Sequence, residues 1–215
     1  TKYKIEKSIK VGDDLVSDVH SACRSSFCSV EDIFVQSSNI GTIKMIRDIG
    51  VNLQQNYLNE LGLFDKINID IPEIATPIVP DPWRNVSTES ISYGYGLSIS
   101  PLHLALATGT ILNGGYLIKP TLIKGNDEKK LYGKIFSEST SELMRYLFSK
   151  VVTDGTAHTA FGYNEALTYN QYYEYNTEFG YLVGGKTGTA EKSSTVYKDG
   201  RITTFISAFP INKPE

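Results

Sequence analysis

The chain has 215 residues, enough for one domain with a sizeable core, and 40% hydrophobic with 21% charged residues is an ordinary globular composition. Its formal net charge of −3 gives no electrostatic argument for nucleic acid as a partner. No apolar run of about 18 residues or more occurs, so the sequence predicts no membrane span within this stretch.

The chain begins at Thr1, with neither an initiator methionine nor a secretory pattern. We interpret it as a fragment of a longer protein, with any signal or membrane anchor upstream. Two cysteines, Cys23 and Cys28, lie close together, and a pair is too few for a structural zinc site. A short loop can bring such a pair within bridging distance in an oxidising compartment, but the interpretation we favour is two free, partly buried thiols.

Three helices are predicted in the first third of the chain, over residues 29–36, 42–49 and 52–61. Ser29 can cap the first helix, with Asp32 at the position of a capping-box acid. Ser38 or Asn39 can cap the second helix, which Gly50 ends.

The middle of the chain combines a proline-rich loop with a buried helix. Prolines recur through residues 71–83, which we therefore predict to be loop. Ser100 followed by Pro101 is a strong helix start, with the serine as N-cap and the proline at the first helical position. This helix is apolar on most faces, which predicts burial, and the Asn-Gly-Gly run at residues 113–115 ends it.

A further helix is predicted from a capping-box pattern of Ser139 with Glu142, followed by apolar residues at helical spacing as far as Val152. The tyrosine-rich stretch at residues 163–175 sustains no periodicity, and we interpret it as a loop insertion rather than an aromatic binding platform. Two antiparallel strands are then predicted, one carrying residues 186–189 and the other residues 203–209. Asp199-Gly200, just before the second strand, is a hairpin-type turn signal.

Two short motifs suggest chemistry, a Ser-x-Asn run at Ser37 and Asn39 and a Lys-Thr-Gly run starting at Lys186. Both occur in serine acyltransferases that act on D-Ala-D-Ala peptides or β-lactams. Alone, the first is typical of a helix N-cap and the second of a strand end before a turn. Together they stand in the expected order, separated by about 150 residues.

The residue types suit that chemistry. A hydroxyl such as Ser37, held between two lysines, can relay a proton to the leaving amine, and the amide of Asn39 can hold the peptide carbonyl and a catalytic lysine together. The charge of Lys186 favours a substrate that bears a carboxylate. Its strand can pair with an extended substrate, which Gly188 allows to approach closely, while a backbone N–H at the strand's end can face the developing oxyanion.

A metal site is not predicted, because the histidines lie far apart without ligand spacing; they are His20, His103 and His158. His103 falls in the apolar helix and is predicted to be a hydrogen-bonded core residue.

The combination of motifs resembles the class B penicillin-binding proteins, most closely the division-specific peptidoglycan transpeptidases, over nearly the whole chain. The stretches that carry the resemblance, in order, are residues 37–41, 61–64, 92–98, 100–105, 113–115, 155–157 and 185–190. The Tyr-Gly-Tyr-Gly run at residues 93–96 favours a transpeptidase over a β-lactamase.

The resemblance implies a role for each motif residue. Ser37 would relay protons, Asn39 would bind the acyl-chain carbonyl, and Lys186 would be the lysine of the third motif. The hydroxyls of Thr187 and Thr189 would hold the carboxylate of substrate or drug. The backbone N–H of Thr189 would supply half of the oxyanion hole.

The family's first motif, Ser-x-x-Lys, should lie upstream of Ser37, and the segment from Thr1 to Gln36 contains no such pattern. We therefore expect the chain to lack the nucleophile and to be inactive alone. The expected fold is α+β, of the β-lactamase and penicillin-binding-protein transpeptidase type, with helices packed on an antiparallel sheet. Residues 1–215 would form a partial transpeptidase domain, truncated at both ends.

The activity implied for the parent is peptidoglycan D,D-transpeptidation through an acyl-serine intermediate, without a metal or organic cofactor. Its partners would be D-Ala-D-Ala stem peptides, β-lactams and membrane proteins of the divisome, at the periplasmic face of the bacterial inner membrane. Alternatives are a serine β-lactamase or DD-carboxypeptidase, and a non-catalytic β-lactam sensor or divisome scaffold. A Ser-x-x-Lys upstream with a single apolar helix would favour the synthase, whereas several spans would favour the sensor.

Overall fold

The computed structural model describes residues 1–23, 26–124, 131–161, 171, 174, 182–191 and 200–214, apart from the side chain of Glu191. Helices α1 to α6 cover Val30–Val35, Asn39–Ile49, Val51–Glu60, Asn85–Ser92, Pro101–Leu112 and Glu138–Thr153. Strands β1 to β8 cover Lys2–Lys4, Ile9–Val11, Asp14–Val16, Phe27–Ser29, Tyr116–Ile118, Leu131–Lys134, Gly184–Glu191 and Arg201–Ala208. A short 3-10 helix covers His158–Phe161. The class is therefore α+β, as predicted.

The strands of the described part pair antiparallel in twos, β1 with β4, β2 with β3, β5 with β6, and β7 with β8. In the last pair Gly184 lies opposite Ala208 and Lys186 lies opposite Ile206. The predicted pairing of the Lys-Thr-Gly strand with the strand that follows it is therefore confirmed. The tyrosines of the predicted loop insertion and Asp199 of the predicted hairpin lie outside the described residues.

The caps predicted for the first two helices form. The Ser29 hydroxyl accepts a hydrogen bond from the Asp32 N–H at 3.1 Å, and the Asp32 carboxylate accepts from the Ser29 N–H at 2.8 Å. For α2 the cap is Ser38, whose hydroxyl accepts from the Gly41 N–H at 2.9 Å. Asn39 is already helical, so α2 starts three residues earlier than predicted and the α1–α2 connection is very short.

Two predictions about the later helices have different outcomes. His103 of α5 is 2% exposed, and its ring nitrogens contact the Ser100 hydroxyl at 2.7 Å and the Asp65 carbonyl at 2.9 Å, which confirms a hydrogen-bonded core histidine. The predicted cap of α6 was wrong, because Ser137 caps this helix by accepting from the Thr140 N–H at 3.1 Å.

The cysteines form a disulfide, so the prediction of two free thiols was wrong. Cys23 and Cys28 are bonded, with their Cα atoms 5.7 Å apart. The reason lies in tertiary structure: β4, which carries Cys28, pairs with β1, and the Ile5 N–H donates to the Ser26 carbonyl at 2.8 Å. Cys28 is fully buried and packs against Ile33 of α1.

A core between α6 and the β7–β8 pair places the later site elements. The largest group of buried apolar residues comes from α5, α6 and the segments around β7 and β8, and consists of Leu112, Phe148, Val151, Val152, Ala157, Leu182 and Ile211. Phe34 of α1 packs against this group, with its ring 5.6 Å from that of Phe148. The end of α1, the end of α6 and β7 are therefore fixed to one another by packing.

Among the described residues no helix is long and apolar enough to cross a membrane.

Candidate active site

Ser37 occupies an unusual backbone position between α1 and α2. Its φ is 57°, in the left-handed region that residues with a side chain enter at a cost. The Ser37 N–H donates to the Phe34 carbonyl at 3.3 Å and the Ser38 N–H to the Ile33 carbonyl at 2.9 Å, which closes the end of α1. Left-handed non-glycine residues are concentrated at functional sites, and this one presents an exposed hydroxyl.

Lys186 reaches that hydroxyl from β7. Its Nζ donates to Ser37 Oγ at 2.7 Å and to the carbonyl of Thr187 at 3.0 Å, and it lies 5.9 Å from the ring centroid of Phe34. Burial lowers the pKa of Lys186 to about 8, because removal from water disfavours the charged amine. The structure thus brings together the serine of one predicted motif and the lysine of the other, 149 residues apart.

Asn39 is held by the N-terminal segment. Its Nδ2 donates to the carbonyl of Ser17 at 3.2 Å, and its backbone is the first helical residue of α2, two positions after Ser37. Beside it, the carboxylate of Asp18 accepts from the Ser38 hydroxyl at 2.6 Å and from the Ile40 N–H at 3.0 Å. Sequence reasoning missed Asp18, which has no motif of its own, yet it fixes the start of α2.

The outer part of β7 is open. Gly188 pairs with Thr204 and Thr189 with Thr203, and both residues of β7 are exposed. A Cβ placed on Gly188 would approach no atom more closely than 3.9 Å, so the strand presents a free surface there. A side chain at this position would occupy that space, which an extended ligand could otherwise use.

Thr156, in the turn after α6, is a site residue to which sequence reasoning assigned no role. Its hydroxyl shares a hydrogen bond of 2.5 Å with the Thr187 hydroxyl, and its backbone N–H donates to the Val35 carbonyl at 3.4 Å. It therefore touches both the α1 end and the Lys-Thr-Gly strand. The Gly-Thr-Ala run at residues 155–157 was the signal available in the sequence.

No group of histidine, cysteine or carboxylate side chains capable of holding a metal ion occurs in the described part of the chain. The chemistry that this arrangement offers is that of hydroxyls, a partly buried amine and an open strand.

Replacing Gly155 with alanine is expected to lower the free energy of unfolding by about 2 kcal/mol, since forcing atoms into a packed site typically costs about 1–3 kcal/mol. A Cβ there would lie 2.6 Å from the Val35 carbonyl oxygen and 2.7 Å from the Val151 Cα, and neither backbone atom can move without shifting a helix. Urea unfolding of Gly155→Ala measures the effect.

The matched control is Gly109→Ala in α5, where an added Cβ meets nothing within 4 Å. That change should raise stability slightly, because alanine is the better helix former by about 1 kcal/mol. Equal effects of the two substitutions would contradict the close approach of α1 and α6.

Comparison with known proteins places these features in one family. The family described as "Penicillin binding protein transpeptidase domain" matches residues 1–215. The "Probable peptidoglycan D,D-transpeptidase FtsI" of Caulobacter vibrioides is 29% identical over 223 residues, covering 99% of this chain and 34% of that protein. "Stage V sporulation protein D" of Bacillus subtilis is 29% identical over 202 residues, covering 85% of this chain and 28% of that protein.

Solved structures agree in fold. The apo transpeptidase domain of penicillin-binding protein 3 from Burkholderia pseudomallei superposes with a TM-score of 0.81 at 27% identity, covering 100% of this chain and 61% of that one. Apo penicillin-binding protein 3 from Mycobacterium tuberculosis superposes with a TM-score of 0.76, and at 20% identity that likeness concerns the fold alone. The chain spans about a third of the length of the Caulobacter vibrioides and Bacillus subtilis relatives.

Proposed function

The chain belongs to the penicillin-binding protein transpeptidase family, and from this we propose that residues 1–215 are part of the transpeptidase domain of a peptidoglycan D,D-transpeptidase. Such an enzyme crosslinks stem peptides ending in D-Ala-D-Ala through an acyl-serine intermediate, and β-lactams would acylate the same serine. The observation that carries the proposal is the 2.7 Å hydrogen bond from Lys186 Nζ to Ser37 Oγ, because it joins two motifs of this chemistry in space.

The proposed role of Ser37 is proton transfer to the departing D-alanine. When the C–N bond of the D-Ala-D-Ala peptide breaks, the leaving amine must gain a proton. The Ser37 hydroxyl can supply it and take another from the ammonium of Lys186, which already donates to it. An amine whose pKa is about 8 gives up a proton more readily near neutral pH than an ordinary lysine.

Carboxylate recognition would fall to β7. The charge of Lys186 and the hydroxyls of Thr187 and Thr189 lie on the strand that an extended D-Ala-D-Ala peptide would join, and Gly188 leaves room for it. The backbone N–H of Thr189 would face the oxyanion of the tetrahedral intermediate.

Asn39 would bind the carbonyl of the acyl chain. Its amide has two N–H donors and an oxygen acceptor, and the bond to Ser17 uses one donor. The remaining groups can bind a peptide carbonyl and a lysine of the first motif.

The nucleophile would come from a Ser-x-x-Lys motif that this sequence does not contain at any position. In the longer protein we propose, that serine would lie upstream of Thr1, as would a membrane anchor holding the domain at the periplasmic face of the inner membrane. Divisome membrane proteins would be its protein partners.

The 215-residue chain is expected to form no covalent adduct with penicillin, because acylation requires a serine hydroxyl beside a neutral lysine amine of its own motif. A longer protein with the upstream Ser-x-x-Lys should gain one penicillin mass, lost when that serine is replaced by alanine. Intact-mass spectrometry after incubation with labelled penicillin measures both. A stoichiometric adduct on the chain alone, abolished by Ser37→Ala, would make Ser37 the nucleophile and overturn the proposed relay.

The fate of the adduct separates the proposed enzyme from its rivals. A transpeptidase should retain the penicillin-derived acyl group for long periods. It should also transfer the acyl group of a thioester or peptide donor to the amine of an amino-acid acceptor. Rapid hydrolysis of the adduct would instead indicate a β-lactamase or carboxypeptidase, and a stable adduct without any peptide transfer would indicate a sensor or scaffold.

A further inference from the structure

The position of Ser37 depends on a contact made by its neighbour. Gln36, the residue that ends α1, donates from its side-chain Nε2 to the backbone carbonyl of Asp154 at 3.0 Å. These residues are 118 positions apart, so the bond is a tertiary tie between the α1–α2 connection and the end of α6. Next to it, the Thr156 N–H donates to the Val35 carbonyl at 3.4 Å.

The acceptor of this tie is itself well fixed. The last turn of α6 is fully buried at Val151, Val152 and Thr153. The Asp154 N–H donates to the Lys150 carbonyl at 3.0 Å, and the Asp154 carboxylate is paired with the Lys150 amine. The carbonyl that Gln36 binds therefore belongs to a rigid part of the molecule.

The same turn also holds the other side of the site. Thr156, two residues after Asp154, shares a hydrogen bond with the Thr187 hydroxyl, adjacent to Lys186 on β7. Residues 154–156 thus contact both the connection that carries Ser37 and the strand that carries Lys186. The separation of Ser37 from Lys186 is set through this turn.

We propose that Gln36 is a positioning residue, which holds Ser37 in hydrogen-bonding range of Lys186 by binding the Asp154 carbonyl. The inference rests on the proposed transpeptidase function and adds a residue to it. Ser37 needs such support because its left-handed φ of 57° is unfavourable for a residue with a side chain. Without the tie, the connection can relax to an ordinary backbone conformation and carry the hydroxyl away from Lys186.

The test compares Gln36 with a matched glutamine elsewhere. Gln54 of α3 donates from its Nε2 to the Thr88 carbonyl at 3.1 Å, so Gln54→Ala removes the same kind of bond in a different part of the molecule. Gln36→Ala and Gln36→Met remove the donor, and methionine keeps the length of the side chain. All are made in the longer transpeptidase that contains this chain.

At saturating penicillin, both Gln36 variants should be acylated about tenfold more slowly than wild type, because displacing a reacting group by about 1 Å can slow a reaction up to ~100-fold. The penicillin concentration that gives half of the maximal rate should change little. Gln54→Ala should acylate at the wild-type rate even if it unfolds at lower urea concentration. A role in stability alone would not separate the two glutamines in this way.

A second readout needs no acylation. The pKa of Lys186 is lowered by burial, so loosening Ser37 should admit water and raise that pKa in Gln36→Ala toward the ordinary value of 10.5. NMR titration of the Lys186 side chain measures it, and Gln54→Ala should leave it unchanged.

The outcomes are distinguishable. A wild-type protein that is never acylated would refute the proposed function, while the Lys186 titration would still decide the role of Gln36. Wild-type acylation rates in both Gln36 variants, or an unaltered Lys186 pKa in Gln36→Ala, would overturn the inference. If Gln36→Ala does not fold, Gln36→Met carries both measurements.

Discussion

Replacing Lys186 with methionine is expected to slow acylation of the proposed transpeptidase by penicillin roughly 10²–10³-fold, the usual loss when one preorganised donor of an acyl-transfer site is removed. Methionine keeps most of the length of the lysine stem but removes the amine, which donates to Ser37 and lies near the Phe34 ring. The substrate or drug carboxylate would also lose a nearby positive charge. Stopped-flow acylation with a chromogenic β-lactam measures the rate constant.

A second lysine provides the control for this experiment. Lys134 lies 4.8 Å from the ring centroid of Tyr116 and contacts its hydroxyl at 3.5 Å, so it resembles Lys186 in its contacts while lying on β6. Lys134→Met should acylate as wild type. A loss below about tenfold in Lys186→Met would contradict the role assigned to the amine.

The two site residues should also behave as one unit. If Lys186 acts through the Ser37 hydroxyl, then Lys186→Met combined with Ser37→Ala should be little worse than the more damaging single change. If the fold-losses in acylation rate of the two single variants multiply in the double variant, the two side chains act independently, in spite of their 2.7 Å contact.

The parts of this structure that sequence reasoning predicted well are those whose partners are local. Ser29 and Asp32 form their capping box within one turn, and Ser100 with Pro101 starts α5 as its dipeptide suggests. Such signals depend on backbone groups only three or four residues away, so tertiary structure does not have to be known.

Elements without a strong local signal were not predicted. The strands β1 to β4 have three residues each, too few to show sustained alternation. Helix α4 is rich in serine and threonine, which compete with the backbone for hydrogen bonds and give little helical preference. The disulfide was missed because its formation depends on the pairing of β4 with β1 rather than on the spacing of Cys23 and Cys28.

The site shows the same limit. From the sequence, Ser37 and Lys186 were identified as candidate site residues, and the strand that carries the lysine was predicted. Sequence reasoning could not predict the bond between Gln36 and Asp154, nor that between Thr156 and Thr187, because these join residues 118 and 31 positions apart through the packing of α1, α6 and β7. Residues that position a catalytic group carry no motif, since their role is defined by the distance they set.

Stability is expected to rise with pH between about 8 and 10.5 by up to about 3 kcal/mol on account of Lys186. Burial lowers its pKa from the ordinary value of 10.5 to about 8, and each unit of pKa difference is worth about 1.4 kcal/mol. Below pH 8 the amine is charged in both the folded and unfolded states, and folding bears the full cost of burying that charge.

Between pH 8 and 10.5 the unfolded chain binds more protons than the folded protein, so the free energy of unfolding increases with pH in this window. Above pH 10.5 the amine is neutral in both states, so folding no longer requires the burial of a charged amine. The direction is opposite to that of a lysine held by an ion pair, whose contribution would be lost as pH rises.

Comparison with Lys186→Met isolates this lysine, because the titration of every other lysine and tyrosine is shared by the two proteins. Urea unfolding is measured at several pH values from 7 to 10.5. The free energy of unfolding of wild type should increase relative to that of the variant as pH rises, with most of the increase above pH 8.5. A difference that stays constant, or that falls with pH, would mean that the amine is paired with an acid or open to water. In either case Lys186 would not be the readily deprotonated donor to Ser37 that the proposed relay requires.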